Sequence, residues 1–281
     1  MNTIKLPDGR NLGFAEYGRS NGSPVLFCHS TPGSRLTISQ EMSRDADALD
    51  VRLIAPDRPG YGLSDSKADR SFVDWPEDVS ALIEKLGIDR FAILGYSMGS
   101  PYALAYAHTM PEKISGVALV GGLAPNLFDS AVTATFSPGS NALFTLARDN
   151  PPQLLETLKV LAPDGASLLA AMAAGLPEPD QALLAQAEIS AAFLRDCDET
   201  LRQGQEAAAT DFVLAAHDWG FDLGAIQAPV HIWNGLEDLN APPAMAEYLA
   251  ANLPNYKIRL LPSEGHLCLF AHWKEILGNV A

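Results

Sequence analysis

Cysteine is scarce in this chain of 281 residues, and its three positions, Cys28, Cys197 and Cys268, lie far apart in the sequence. Three scattered cysteines exclude the dense disulfide framework of small secreted proteins, and no Cys/His spacing predicts a zinc site. No cofactor-binding motif appears either. We therefore expect three free thiols and predict neither a metal nor a cofactor.

Basic residues are also few. The chain has 19 Lys and Arg against 34 Asp and Glu, which gives a formal net charge of -15. A surface this acidic repels both the phosphate backbone of nucleic acids and an anionic membrane. We therefore predict a small-molecule substrate as the partner, with no nucleic acid and no membrane. The sequence leaves open whether the protein forms a homo-oligomer.

Long apolar runs are missing as well. No stretch is long enough to cross a bilayer, and the first seven residues lack the hydrophobic region of a signal peptide. We therefore expect a soluble protein in the reducing environment of the cytoplasm.

Short apolar runs of strand length are what the chain has instead. Four of them lie at residues 24–28, 51–55, 91–95 and 114–120. Helical patterns separate them, the clearest over residues 75–86. Strands that alternate with helices form right-handed crossovers and a parallel sheet covered on both faces, which explains why the runs are uniformly apolar. The sequence therefore predicts an α/β fold with a mostly parallel central sheet flanked by helices.

Both ends of the chain extend this sheet. Residues 3–6 and 12–17 flank a Pro-Asp-Gly-Arg turn and predict an antiparallel edge. Near the C-terminus the strand pattern resumes at residues 229–233 and 257–261, with a helix at about 243–252 between them and a last helix at about 267–280.

A long interruption, from about Pro125 to about His217, contains no convincing strand. Alanine, leucine and acidic residues dominate it, and prolines and glycines divide it into helix-sized pieces. We interpret it as a helical cap inserted between two strands of the sheet. The predicted division is a core of residues 1–122 and 218–281 and a cap of residues 123–217, called the cap segment below.

A five-residue motif, Gly95-Tyr96-Ser97-Met98-Gly99, joins the third apolar run to a helical pattern. A strand that turns at once into a helix strains its corner residue, and side chains two positions to either side would clash. Such a turn lifts the Ser97 hydroxyl off the sheet and directs the positive end of the helix dipole toward it. The motif therefore predicts a nucleophile elbow.

Four further motifs accompany the elbow in a fixed order. They are His29-Ser30-Thr31-Pro32-Gly33, Asp57-Arg58-Pro59-Gly60-Tyr61-Gly62-Leu63-Ser64, Gly235-Leu236-Glu237-Asp238 and Gly265-His266. With the elbow, they resemble the α/β-hydrolase superfamily over nearly the whole chain, in its serine-nucleophile branch. The resemblance implies the α/β-hydrolase fold with an inserted helical cap.

The resemblance also implies a catalytic triad in the chain order Ser, Asp, His. Serine needs an adjacent base, and a carboxylate must orient that base and stabilise its charged form. Ser97 is the candidate nucleophile, His266 the candidate base in a loop after the last strand, and Asp238 the candidate acid after strand 229–233. Some relatives place the acid one strand earlier, but the corresponding turn here, residues 121–126, has no carboxylate.

By the same resemblance, the backbone N–H groups of Thr31 and Met98 form the oxyanion hole. Many relatives have glycine at the position of Ser30, so this loop departs from the family pattern. We interpret His29 and the Asp57–Ser64 corner as structural. The same interpretation applies to the histidines outside the motifs, which are His108, His217, His231 and His272.

A serine at the elbow argues against the dehalogenase and epoxide-hydrolase branches, which have aspartate there. It favours acyl transfer through an acyl-enzyme, and the many apolar residues of the cap segment favour a small, largely apolar ester. The sequence therefore predicts a serine hydrolase of the carboxylesterase type.

Three alternatives stay open. The His29–Gly33 loop resembles the His-Gly-Gly-Pro-Gly segment of proline iminopeptidases, although their elbow reads Gly-Gly-Ser-Trp-Gly. Carboxylates of the cap segment would then bind the substrate amine, and the candidates are Glu178, Glu188, Asp196, Asp198 and Glu206. Carbon–carbon bond hydrolases of β-diketone-like substrates share the triad and a helical lid. The third alternative is a non-catalytic ligand-binding protein on this fold.

Overall fold

The computed structural model describes residues 2–281 and contains one eight-stranded sheet. The strands are β1 Asn2–Lys5, β2 Asn11–Gly18, β3 Ser23–Cys28, β4 Val51–Pro56, β5 Phe91–Tyr96, β6 Ile114–Val120, β7 Val230–Gly235 and β8 Tyr256–Leu261. Their order across the sheet is β1-β2-β4-β3-β5-β6-β7-β8. β2 pairs antiparallel with β1 and with β4, and the other pairs are parallel. The predicted α/β fold is confirmed.

Helices connect these strands. The α-helices are α1 Gln40–Ala48, α2 Trp75–Lys85, α3 Gly99–Thr109, α4 Ser130–Thr133, α5 Pro138–Asp149, α6 Pro151–Leu161, α7 Gly165–Ala173, α8 Glu178–Leu184, α9 Ala187–Thr200, α10 Glu206–Ala215, α11 Pro243–Asn252, α12 Cys268–Ala271 and α13 Trp273–Val280. Short 3-10 helices lie at Phe72–Asp74, Pro111–Lys113, Leu201–Gln203 and Leu223–Ala225.

The parallel strands are buried on both faces because helices cover both. Leu26 of β3 lies beside Ile93 of β5, and both belong to the core layer that includes residues of α2, α3 and α11. Their neighbours Phe27 and Leu94 point the other way, into the layer that includes residues of α1 and α13. All six residues of β5 are buried. The strand that leads to Ser97 is therefore held rigidly from both sides.

The cap segment, described in full, contains helices α4 to α10 and no strand. Side-chain oxygens of Ser137, Asn150 and Asp164 accept the N-terminal N–H groups of α5, α6 and α7. Pro138 and Pro151 are the first residues of their helices, where a missing N–H costs nothing. The prolines that interrupt the sequence pattern therefore mark helix starts.

One prediction about the helices is wrong in detail. The single last helix expected at about residues 267–280 is two helices, α12 and α13. The break falls at His272, whose φ of -113° and ψ of 19° are not helical and whose Nε2 lies 3.0 Å from Glu264 Oε1.

Within residues 2–281, the helices are all too short or too polar to span a bilayer. The three cysteines are buried, and each has a free thiol.

Candidate active site

Ser97 lies between β5 and α3, at the carboxyl edge of the sheet. Its φ of +52° is in the left-handed region, which a residue with a side chain rarely adopts. A Cβ atom at Gly99 would lie 2.0 Å from the carbonyl oxygen of Cys28, and one at Gly95 would lie 2.9 Å from that of Gly99. Close backbone contacts therefore require glycine on both sides of Ser97, which is the geometry that the elbow motif predicts.

The imidazole of His266 faces Ser97. Its Nε2 lies 2.9 Å from Ser97 Oγ, and its ring stacks on Tyr96 with 5.4 Å between centroids. The loop between β8 and α12 carries His266, as the sequence predicts. Ser97 and His266 are each 8% exposed. The pair is thus nearly enclosed but not fully sealed from solvent.

Asp238 lies in the turn after β7 and contacts the imidazole of His266. Its Oδ2 lies 2.8 Å from His266 Nδ1, and its Oδ1 accepts hydrogen bonds from the backbone N–H groups of Asn240 and Ala241, each at 2.8 Å. The carboxylate is buried, whereas the neighbouring Glu237 is exposed. The structure therefore brings together Ser97, His266 and Asp238, which lie far apart in the sequence.

The charges around His266 favour its protonated form. Burial alone would lower the pKa of the imidazole, but the charge and hydrogen bond of Asp238, together with the charge of Asp180, outweigh burial and raise the pKa of His266 above its ordinary value. The surroundings of His266 therefore favour the imidazolium over the neutral ring.

Thr31 and Met98, the residues predicted for the oxyanion hole, lie on two different elements. Met98 follows Ser97 and caps the N-terminus of α3, and Thr31 lies in the loop after β3. In the described part of the chain, neither backbone N–H forms a hydrogen bond with another protein group. Ser30 Oγ donates to Pro32 O at 2.5 Å, so the serine that departs from the family pattern turns back onto its own loop.

His29 is held by the same loop and is fully buried. Its Nδ1 lies 2.8 Å from Ser30 O, and its Nε2 accepts the backbone N–H of Arg58 at 3.1 Å. Burial, with the charge of Arg58, lowers the pKa of His29 well below its usual range. Both ring nitrogens are thus occupied, and the side chain ties the loop after β3 to the corner after β4.

A buried ion cluster under this loop was not anticipated from the sequence. Asp211 of α10 accepts hydrogen bonds from Arg58 Nη2 at 2.8 Å, Arg70 Nη2 at 2.7 Å and Thr31 Oγ1 at 2.7 Å. Tyr61 and Tyr102 donate to the same carboxylate. Burial would raise the pKa of Asp211, but the two arginines hold it well below its usual range. The available signal is that Asp211 stands among the apolar residues of α10, whereas Glu206 lies at its start.

Two more buried aspartates of the cap segment reach loops of the sheet edge. Asp196 of α9 accepts from Ser34 Oγ at 2.5 Å and Thr37 Oγ1 at 2.6 Å. Asp180 of α8 accepts the backbone N–H of His266 at 2.8 Å. The other carboxylates considered for binding a substrate amine are all exposed, namely Glu178, Glu188, Asp198 and Glu206.

Across residues 2–281 there is no group of three or more His, Cys, Asp or Glu side chains arranged to hold a metal ion.

Comparison with known proteins shows which family the fold belongs to. The family model described as "alpha/beta hydrolase fold" matches residues 23–272. Proline iminopeptidases from Neisseria gonorrhoeae and Arabidopsis thaliana are 34% and 31% identical to the chain, each over 121 residues. These matches cover 42% of this chain, and 38% and 31% of the two relatives. The matched region thus spans only about a third of the curated relatives' own length.

Solved structures match the fold over nearly the full chain. A hydrolase from Pseudomonas aeruginosa has a TM-score of 0.74 at 20% identity, with 99% of this chain and 95% of that chain covered. An enol-lactonase from Burkholderia xenovorans has a TM-score of 0.72 at 18% identity, with 99% and 97% covered. An esterase from Exiguobacterium antarcticum has a TM-score of 0.69 at 20% identity, with 99% and 97% covered.

Identities this low establish the fold alone, but the family model covers most of the sequence, including Ser97, Asp238 and His266. By its sequence, its sheet order and the elbow at Ser97, the chain belongs to the alpha/beta hydrolase fold family.

Proposed function

We propose that the protein is a serine hydrolase that cleaves a small, largely apolar carboxylic ester through an acyl-enzyme intermediate. The observation that carries the proposal is the continuous chain from Ser97 Oγ to His266 Nε2 at 2.9 Å and from His266 Nδ1 to Asp238 Oδ2 at 2.8 Å. Several proteins of the same fold are named esterases or an enol-lactonase, which is compatible with an ester substrate.

In the acylation step, Ser97 Oγ attacks the carbonyl carbon of the ester while His266 Nε2 accepts its proton. The carbonyl oxygen becomes an oxyanion, and the free N–H groups of Met98 and Thr31 are the donors we assign to it. His266 then returns the proton to the leaving alkoxide as the ester C–O bond breaks. Ser97 is left as an acyl ester.

Deacylation follows the same steps with water as the nucleophile. His266 takes a proton from water, the hydroxide attacks the acyl carbon, and the carboxylic acid leaves when His266 returns the proton to Ser97 Oγ. Asp238 accepts from Nδ1–H throughout, so it fixes the tautomer in which Nε2 is the base. The two N–H groups that bind Asp238 Oδ1 keep the carboxylate in that orientation.

We also propose that the cap segment, residues 123–217, covers the active site and that residues 1–122 and 218–281 form the core. Three contacts support this arrangement. Asp180, Asp196 and Asp211 of the cap segment bind the His266 loop, Ser34 and Thr31 respectively, and all three partners belong to the loops at the carboxyl edge of the sheet.

A proline iminopeptidase is the second candidate, because the curated relatives reported above carry that name. Such an enzyme needs a free carboxylate to bind the substrate amine. Asp196, one of the predicted candidates, is buried and already bound to Ser34 and Thr37. That contact removes Asp196 from the candidate amine ligands and leaves the exposed ones, so a substrate panel has to separate the esterase from the peptidase.

The test combines covalent labelling with a substrate panel. A fluorophosphonate should label the wild type at Ser97, and Ser97→Ala should lose both the label and nearly all turnover. Ser130→Ala, at an exposed serine of α4, is the matched control and should keep both. Aryl esters of increasing acyl length should be cleaved, and prolyl p-nitroanilide should not. A label on another residue, or full activity of Ser97→Ala, would refute the serine-hydrolase assignment, and cleavage of the anilide alone would select the peptidase.

A further inference from the structure

Asp180 reaches the active-site loop from α8. Its Oδ2 accepts the backbone N–H of His266 at 2.8 Å, and its Oδ1 accepts that of Leu267 at 2.9 Å. The side chain is completely buried, with 0% exposure. Each carboxylate oxygen therefore binds one of two successive amides, which fixes the direction of the peptide chain at His266.

Gly265 allows this approach. A Cβ atom at that position would lie 2.4 Å from Asp180 Oδ2 and 2.5 Å from its Cγ and Oδ1. No side chain fits there while the carboxylate stays in place. The glycine of the Gly265-His266 motif therefore has a structural explanation that involves a residue of the cap segment.

We propose that Asp180 is a positioning residue for His266 and makes the geometry of the base depend on the packing of the cap segment. The inference rests on the proposed function, in which His266 is the base. Asp238 restrains the imidazole ring through Nδ1, whereas Asp180 restrains the backbone that carries the ring. The two carboxylates thus control different degrees of freedom of one residue.

Asp180 also affects His266 through its negative charge. Burial is the largest influence on the pKa of His266 and lowers it. The charge and hydrogen bond of Asp238 raise this pKa, and the charge of Asp180 raises it further. Burial raises the pKa of Asp180 itself, and the N–H groups of Leu267 and His266, together with the charge of His266, oppose that rise. The titratable groups around Asp180 are His266, Asp238, Tyr96 and Cys268, and its hydrogen-bond partners are two backbone amides.

Asp180→Asn tests the proposal with an isosteric side chain that has no charge and turns an amide toward one of the two N–H donors. We expect kcat on an aryl ester to fall by about 10²-fold, since small displacements of catalytic groups cost that much. KM should change far less. Glu156→Gln, at an exposed glutamate of α6 in the same cap segment, is the matched control and should keep wild-type kinetics.

A second readout separates positioning from general loss of structure. Asp180→Asn should lower the pKa of His266, followed by NMR titration of labelled histidine, and should move the acid limb of kcat/KM to lower pH by the same amount. An unchanged kcat, or a loss of rate with the imidazole pKa unmoved, would overturn the proposal.

Two further measurements keep the inference separate from the proposed function and from folding. If the wild type resists fluorophosphonate, the proposed function fails, and the NMR titration still reports on Asp180. If Asp180→Asn does not fold, amide hydrogen exchange of the wild type decides: the N–H groups of His266 and Leu267 should exchange slowly, and fast exchange of both would overturn the proposal.

Discussion

Gly121 lies against His266 in a backbone conformation that a side chain would strain. Its φ is +52°, and a Cβ atom there would lie 3.1 Å from His266 Nδ1 and 3.2 Å from Asp238 Oδ2. Its N–H donates to Trp233 O at 2.9 Å, so the backbone cannot easily move away. The turn after β6, where some relatives carry the acid, here contributes a glycine that packs closely against His266 and Asp238.

We therefore expect Gly121→Ala to lower kcat on the order of 10-fold or more, because the new methyl group displaces the imidazole or the carboxylate. The left-handed φ adds a destabilisation of roughly 1–2 kcal/mol. Gly87→Ala is the matched control, since Gly87 has a φ of +67° and nothing within 4 Å of its added Cβ. Urea unfolding and ester kinetics of both variants separate the two effects. Equal kcat in the two variants would contradict the expectation.

Asp238→Asn should reduce kcat by about 10²–10⁴-fold with little change in the fold, because the amide cannot hold His266 in the required tautomer. The neighbouring Glu237→Gln, at an exposed carboxylate, should leave kcat unchanged. Steady-state kinetics on one aryl ester measure both. A comparable loss in Glu237→Gln would move the acid assignment away from Asp238.

Asp196 should make stability depend on pH. Burial, opposed by hydrogen bonds from Ser34 and Thr37 and assisted by the charge of Asp57, raises the pKa of Asp196 to about 7. Because this pKa lies above the unfolded value of about 3.9, the folded protein binds the proton more tightly. The contribution to the free energy of unfolding is complete below about pH 4 and is lost as pH rises to about 7, on the order of 4 kcal/mol in all.

Urea unfolding at pH 5 and pH 8 measures this effect. The unfolding free energy of the wild type minus that of Asp196→Asn should decrease as pH rises from 5 to 8. Asp198→Asn, at an exposed aspartate of the same helix, should show no such trend. A difference that grows with pH would reverse the sign and refute the assignment.

Asp211→Asn should destabilise the protein by about 3–5 kcal/mol, because it leaves the buried Arg58 and Arg70 without their shared carboxylate. Asp149→Asn breaks an exposed pair with Arg148 and should give no measurable change. Thermal and urea unfolding report both. Similar stabilities of the two variants would show that the buried cluster contributes little.

The fold and the candidate triad could be predicted because their signals are local. Buried parallel strands are continuous apolar runs, so β3 to β6 can be recognised from their own residues alone. The elbow motif is contained in five successive residues around Ser97. Asp238 and His266 each follow a strand directly, and the carboxyl ends of parallel strands meet at one edge.

The aspartates of the cap segment could not be predicted in the same way. Asp180 contacts His266 across 86 residues of sequence, and Asp211 contacts Arg58 across 153. Helical periodicity shows which face of a helix is apolar but not what that face meets. Glu178 and Asp180 lie within one turn of α8, and only the docking of this helix makes the first exposed and the second buried.

The contacts of Asp180 and Asp211 set a condition on chimaeras within this family. One way to seek a new substrate specificity is to replace the helical segment between β6 and β7 with that of a relative. A transplanted insertion would have to bring one carboxylate to the amides of His266 and Leu267 and another to Arg58, Arg70 and Thr31. An insertion chosen only for the shape of its pocket would leave the loop of His266 without its carboxylate partner and two buried guanidinium groups without a counter-ion.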